Sequence, residues 1–319
     1  MNARSRRGCP KWCAVTLTAA ACLVPVCRPV RAAGLPWSKL EALNGARWVP
    51  WWDSTSAPAA WRAADPAVAM AVVWRPAAAG MELGELALGG TGEAWRLQIV
   101  LVRLDSARLR LELVSASREA GTLPDWSLDR LPAGAVLGVN AGQFTGGQPW
   151  GWLVRNGTVE QLPAIGALSM AFCVLSDGRA RFVPVKEIPA DGSGSAVEAF
   201  QSYPVLLRRD GEIPPQLATP GSGVDLAHRD ARLAIGALRD GRLLVALTRF
   251  DAAGTALGSL PFGPTVPEMA AVVGALGCRE AVMLDGGISA QLAVRDAGGA
   301  LRTWRGWRKV PLALVGYPR

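Results

Sequence analysis

The chain has 319 residues, half of them hydrophobic and 19% charged, a composition that fits a globular protein with a sizeable core and excludes a disordered or fibrous one. Its formal charge of +8 is concentrated at the start: residues 1–32 hold Arg4, Arg6, Arg7, Lys11, Arg28 and Arg31 and no acid, and the remainder carries 28 basic against 26 acidic residues. A chain this close to neutral beyond its first 32 residues lacks the dispersed positive surface of a nucleic-acid binder.

Residues 1–32 read as a secretory leader. A basic start through Lys11 precedes an apolar stretch from Trp12 to Val26, and Val30-Arg31-Ala32 forms a small-residue site with cleavage expected after Ala32. The stretch is too short and too interrupted by proline for a transmembrane span. A lipid anchor on Cys22, preceded by Ala19-Ala20-Ala21, is the minor alternative to periplasmic or extracellular export. Cys9, Cys13, Cys22 and Cys27 all lie in this segment, which leaves Cys173 and Cys278 as either a disulfide or two buried thiols. With His228 as the single histidine, histidine-rich metal chemistry is excluded. The sequence requires no cofactor, and a divalent cation stays an open alternative.

Residues 33–69 are rich in Trp, Ala and Pro without a clear period, and read as an N-terminal extension packed on a main domain, residues 70–319. Their aromatic group, Trp48, Trp51, Trp52 and Trp61, fits either plain packing or a carbohydrate-stacking face. Strand signals follow. Leu97, Ile99 and Leu101, then Leu109, Leu111 and Leu113, alternate with period two. Tight-turn dipeptides recur between apolar runs at Asn156-Gly157, Asp177-Gly178, Asp210-Gly211 and Asp240-Gly241, which predicts four hairpins. The clearest helix runs from a Thr265 cap, through Pro267 and Glu268 in the first turn, to a Gly277 exit, with Met269, Val272, Val273 and Leu276 on one face. The expected fold class is α+β: a largely antiparallel or mixed sheet with several hairpins, few helices and a single main domain.

Four segments bring polar groups to the ends of apolar runs. In Glu280-Ala281-Val282-Met283-Leu284-Asp285-Gly286-Gly287-Ile288-Ser289 a buried strand ends in a carboxylate, followed by two glycines and a hydroxyl. Glycines there let backbone N–H groups approach a ligand, and successive N–H groups form an anion-binding concavity; the plain alternative is a turn. Asn140 and Gly142 end the run from Val136, Gln201 precedes Pro204 and a hairpin, and Arg232 opens a strand. An arginine at that position can grip a phosphate bidentately, or else pair on the surface with Asp230 or Asp225. Ser289 misses the G-x-S-x-G elbow because Gln291 stands where glycine is needed, and no phosphate-loop or dinucleotide motif is present.

In this order the segments resemble the phosphodiester glycosidase family, over roughly residues 70–319. The matching stretches are Asn140-Ala141-Gly142-Gln143-Phe144; Gln201, Pro204 and Leu206; Arg232-Leu233-Ala234-Ile235-Gly236; and Leu284-Asp285-Gly286-Gly287-Ile288-Ser289. Ala141, Gln143, Leu233 and Ile288 depart from the family pattern, and Ile288, being β-branched, is expected to narrow the loop beside the acid. The resemblance implies an exported hydrolase that cleaves a sugar-1-phosphodiester, of the N-acetylglucosamine-1-phosphodiester kind, at the anomeric carbon. It implies Asp285 as nucleophile or general base, Arg232 with Gly286, Gly287 and Ser289 on the phosphate, and Asn140, Gly142 and Gln201 as further substrate contacts. Glu268 is either a second carboxylate or a helix cap. The alternatives are a phosphodiesterase attacking phosphorus and a non-catalytic carbohydrate-binding module of the envelope.

Overall fold

A computed structural model describes residues 37–78, 80–92, 96–116, 126–251 and 258–319. The expected leader, its cleavage site and Cys22 lie outside these residues. Among the described residues strands dominate, and the two α-helices are α1 (Pro66–Ala71) and α2 (Val266–Ala275).

Nine strands form a large sheet. Its path runs Val205–Leu207, Cys278–Leu284, Leu233–Leu238, Leu243–Phe250, Leu97–Leu104, Met81–Gly90, Lys39–Asn44 and Arg47–Asp53, with Val73–Pro76 also paired to Met81–Gly90. A five-stranded sheet holds Thr158–Gln161, Leu153–Arg155, Ala196–Ser202, Met170–Leu175 and Ala180–Pro184; another holds Leu301–Trp304, Leu292–Arg295, Leu137–Asn140, Leu312–Pro318 and Leu109–Ser115. The pairings that build these sheets are antiparallel. The α+β expectation therefore holds in its coarse form, with more sheet than that label conveys.

Three of the four predicted turns, Asn156-Gly157, Asp177-Gly178 and Asp240-Gly241, join paired strands, while Asp210-Gly211 closes only a single bridge between Arg208 and Glu212. At the first, Asn156 and Gly157 adopt φ of 51° and 74° between the paired residues Arg155 and Thr158, the conformation a primed two-residue turn requires. Two core layers hold the sheets together. Val100, Val102, Ile235, Val245 and Val282 on one face of the large sheet pack against Leu111, Leu137, Phe172, Phe200 and Leu314 of the smaller sheets. Leu86, Ile99, Leu101, Ala246 and Met283 on the other face pack against α1 and α2. Leu97–Leu104 is thus buried on both faces, and the period-two reading captured only the Leu97, Ile99 and Leu101 side. A strand covered on both sides reads as a nearly continuous apolar run.

Helix α2 starts where expected, with a Thr265–Glu268 capping box. It is buried nearly all round rather than on one face: Trp61 lies so close that a Cβ on Gly274 would sit 2.2 Å from its ring. Trp52 and Trp61 belong to this core, and Trp51 meets Trp61 with the rings tilted by 57° and 6.0 Å between centroids. Trp51, Trp52 and Trp61 therefore pack the protein, while the half-buried Trp48 carries the Arg96 guanidinium 4.5 Å from its ring centroid. Residues 39–53, which show no clear period, form two strands that continue the large sheet. Cys173 and Cys278 are free, buried in different core clusters, and burial pushes both thiols up, Cys173 to about 12.

Candidate active site

The four polar segments converge at one end of the large sheet. Asp285 follows the strand Cys278–Leu284, and Arg232 immediately precedes the strand Leu233–Leu238 paired beside it, where Leu233 opposes Leu284. Next to the strand carrying Asp285, Ser202 donates its hydroxyl to the Met283 carbonyl, and the Met283 N–H donates to Pro204 O at 3.0 Å. From another side, the Asp285 N–H donates to Gly142 O at 2.9 Å. A pocket of about 250 Å³ opens there, lined by Gln143, Tyr203, Asp225, His228, Asp230, Arg232, Asp285 and Gly286 among others.

Asp285 carries the site's perturbed carboxyl. Burial raises its pKa above the usual carboxylate range; a Ser289 hydrogen bond and the Arg308 charge lower it, and the neighbouring Asp230 carboxylate raises it further. Asp230 lies against the same loop, since a Cβ on Gly287 would sit 2.8 Å from its Oδ2. It also faces His228, whose Nε2 is 3.6 Å away. The chain thus presents three carboxylates on one pocket, Asp225, Asp230 and Asp285, of which Asp230 is the one that shifts the Asp285 carboxyl. Asp230 is the residue sequence reasoning missed, having been read only as a surface partner for Arg232. Its available signal was its place two residues before the arginine, on the segment that leads into the same strand.

Arg232 lines the pocket but is strongly anchored. Its Nε donates to Pro264 O at 2.9 Å and its Nη2 to the His228 carbonyl, while Nη1 makes no hydrogen bond among the described residues. Burial lowers its pKa, against the pull of Asp230, Asp225 and Glu268. One edge of the guanidinium thus stays available to an anion while the other holds the loop. Arg308 is a second cation near Asp285, from a segment that sequence reasoning did not single out.

The other expected contacts sit behind the pocket. Asn140 is fully buried; its Nδ2 donates to Asp285 O at 2.7 Å and its Oδ1 accepts from Gln291 N at 3.0 Å. Both ends of its amide are therefore engaged with backbone, and it ties the two ends of the acid's loop together. Gly142 contributes its carbonyl to Asp285 N–H. Gln201, also fully buried, accepts from Trp152 N and Ala164 N and donates to the carbonyls of Ala164 and Leu168, so it shapes the 162–168 loop.

The glycines also act differently from the expectation. The Gly287 N–H donates to Ala231 O at 2.7 Å and the Ser289 N–H to Gly286 O at 3.1 Å, so the expected concavity of N–H donors is partly closed by internal bonds. A Cβ on Gly286 would lie 2.5 Å from Ala231 O, and Gly287 has φ of 57°. These positions are glycine because the loop packs directly on the 230–232 backbone. The positive φ falls on Gly287, while Ile288 is 43% exposed and does not line the pocket, so it does not narrow the acid's turn. Ala141 and Leu233 are buried in the core, and Gln143 lines the pocket while donating to Tyr203 O at 2.8 Å.

Glu268 is a cap and not a pocket acid. It is fully buried, accepts both terminal nitrogens of Arg229 at 2.7 Å, and bonds Ser38 and Thr265 N. Among the described residues no group of three or more His, Cys, Asp or Glu is arranged to hold a metal ion.

The profile of the family described as phosphodiester glycosidase matches residues 133–315, the stretch that carries this acid, glycine and arginine cluster. The chain belongs to the phosphodiester glycosidase family. Among solved structures, the catalytic domain of zebrafish N-acetylglucosamine-1-phosphodiester alpha-N-acetylglucosaminidase, auto-inhibited by pro-peptide, is similar at 16% identity and a TM-score of 0.53, over 88% of each chain. A hypothetical protein from Synechocystis is similar at 15% identity and a TM-score of 0.56, over 88% of this chain and 68% of that one. At these identities the structural likeness shows the fold. No curated protein sequence matches the chain.

Proposed function

We propose that the chain hydrolyses a sugar-1-phosphodiester at the anomeric carbon, releasing free sugar and a phosphomonoester. Family membership supports the reaction class. The observation that carries the residue roles is the desolvated Asp285 carboxyl facing Asp230 and Arg232 in one small pocket. An oxocarbenium-like transition state needs a carboxylate beside the anomeric carbon, as nucleophile or as base for water. A raised pKa makes Asp285 the stronger base in its deprotonated form. Asp230 is the second carboxylate, with His228 as its exposed partner. The leaving phosphomonoester is a stable anion, so it needs cationic contacts more than a proton; the free edge of Arg232 and the Arg308 side chain supply them. The pocket's size, just below the usual range for small-molecule sites, fits one sugar unit rather than an extended glycan.

The same reading has the chain exported, supported by its basic start, apolar stretch and Val30-Arg31-Ala32 site. No helix among the described residues is long and apolar enough to cross a membrane.

Hydrolysis in ¹⁸O-water tests the chemistry. Label on the sugar supports attack at carbon, and label on the phosphate overturns it in favour of attack at phosphorus. Asp285→Asn and Asp230→Asn should each abolish most turnover while sugar-phosphate binding persists. Binding without turnover in the parent protein overturns the enzyme reading in favour of a carbohydrate-binding module.

A further inference from the structure

The acid pocket is the end of a longer path. Tyr203, Pro204 and Val224 line both it and an adjoining cavity of about 310 Å³. That cavity in turn shares Gly166, Ser169 and Arg208 with a chamber of about 910 Å³. The chamber is walled largely by Leu162, Ile165, Leu168, Met170, Val185 and Ile188. Its apolar rim is open: Ile165 is 98% and Leu162 61% exposed, in a loop that the buried Gln201 amide holds in place. Exposed apolar side chains edging a cavity mark a binding site more readily than isolated surface residues do.

Charge narrows the occupant. Lys186, Arg208 and Arg209 face the chamber against Glu212 and Glu280. Arg208 stands at the junction with the adjoining cavity, and among the described residues its side chain makes one long hydrogen bond, to Gln216 Oε1 at 3.3 Å. Most donors of that guanidinium are left for an anion passing from the acid pocket. An apolar chamber behind a cationic neck suits a molecule with an anionic head and an apolar tail.

We infer that the chamber binds the apolar tail of the substrate's leaving group, so that the substrate is a sugar-1-phosphodiester of a long-chain alcohol. This rests on the reaction proposed above and names its aglycone. Water oxygen bonds to the anomeric carbon and the bond from that carbon to the phosphate oxygen breaks, its electron pair staying on the phosphate. The products are the free sugar and a long-chain alkyl phosphate, with water's second proton passing to that monoester or to solvent. Arg208 meets the phosphate as the monoester moves off Asp285, and the tail remains in the chamber.

The test uses a series of sugar-1-phosphate alkyl diesters, from methyl to dodecyl, kept below micelle-forming concentration. kcat/KM should rise about two- to fourfold per methylene until the chamber is full. The slope against chain length should flatten in Ile165→Asp, a substitution at an exposed position. In parallel, calorimetry with dodecyl phosphate and inorganic phosphate reads the chamber without catalysis. One saturable dodecyl phosphate site, weakened in Ile165→Asp and in Arg208→Gln, is the expected result. Turnover of the methyl diester with no dependence on chain length overturns the long-chain aglycone while leaving the glycosidase reading intact. Dodecyl phosphate binding without turnover of any diester supports the chamber and overturns the reaction. Absence of both overturns both.

Discussion

Replacing Asn140 with alanine separates a residue that touches substrate from one that holds the acid in place. The side chain is fully buried, with one bond to the part-buried Asp285 carbonyl and one to the buried Gln291 N–H. Truncation leaves the carbonyl short of a donor, at about 1 kcal/mol, and leaves a buried N–H unpaired, at about 2–3 kcal/mol. The sum, about 3–4 kcal/mol, is a large part of an ordinary domain's stability and corresponds to a Tm drop on the order of 10 °C. Thermal unfolding followed by circular dichroism measures it. Asn140→Asp sharpens the result. The carboxylate keeps an acceptor for Gln291 N–H but turns its other oxygen toward the Asp285 carbonyl. Its pKa is thereby raised in the folded state, so this variant should gain stability as pH falls and the protonated acid becomes a donor. A Tm for Asn140→Ala within about 2 °C of the parent, together with a raised KM, would refute the bracing role and restore the expectation of a substrate contact.

Asp285→Asn should lower turnover roughly 10²- to 10⁴-fold and at the same time raise Tm at neutral pH. Burial raises the carboxyl's pKa in the folded state, so its contribution to stability is full below the ordinary carboxylate range and is lost as pH rises through the folded value. The variant's advantage should therefore shrink toward about pH 3, and an advantage unchanged with pH would contradict the burial argument. Glu268→Ala breaks a buried ion pair and a capping box, and should cost about 3–5 kcal/mol in chemical denaturation while turnover per folded molecule is retained. Loss of turnover with stability unchanged would return Glu268 to the site. Gly286→Ala forces a Cβ to within 2.5 Å of Ala231 O, so the two loop segments must separate; about 1–3 kcal/mol of stability and most activity should be lost together.

Local chemistry was readable in the sequence wherever it determined structure by itself. The Asn-Gly and Asp-Gly turns needed only their positive φ, and the Thr265 cap with Glu268 needed only its three-residue spacing. The large sheet's outer strands were not readable, because Lys39–Asn44 and Arg47–Asp53 pair through a bulge at Leu40/Glu41 and include Pro50, which breaks any clean alternation. At the site, Asp285 and Arg232 stood out as polar residues at the ends of apolar runs, and both line the pocket. Asn140 and Gln201 stood out for the same reason but serve the backbone. A polar side chain at a strand end looks identical in sequence whether it meets a ligand or an orphaned carbonyl. Asp230 was hidden because its significance lies in Asp285, 55 residues further along the chain, and no local pattern joins them.

The arrangement around Asp285 answers a physical difficulty common to such sites. A carboxyl disfavoured by burial and by a second carboxylate would drift toward water if its own charge had to hold it. Here the hold comes from neutral groups: Gly142 O on its N–H, Asn140 Nδ2 on its carbonyl, and the Gly287 N–H on Ala231 O. The two glycines permit the close backbone approach that makes the last of these possible. Position is therefore determined by backbone hydrogen bonds, and the carboxyl, with Ser289 as its hydrogen-bonding partner, lines the pocket. That division explains why one segment can carry both a stable fold and an unfavourable charge. Changes to Asn140, Gly142 or Gly286 are expected to act first on the loop, and changes to Asp285 or Asp230 first on the charge of the pocket.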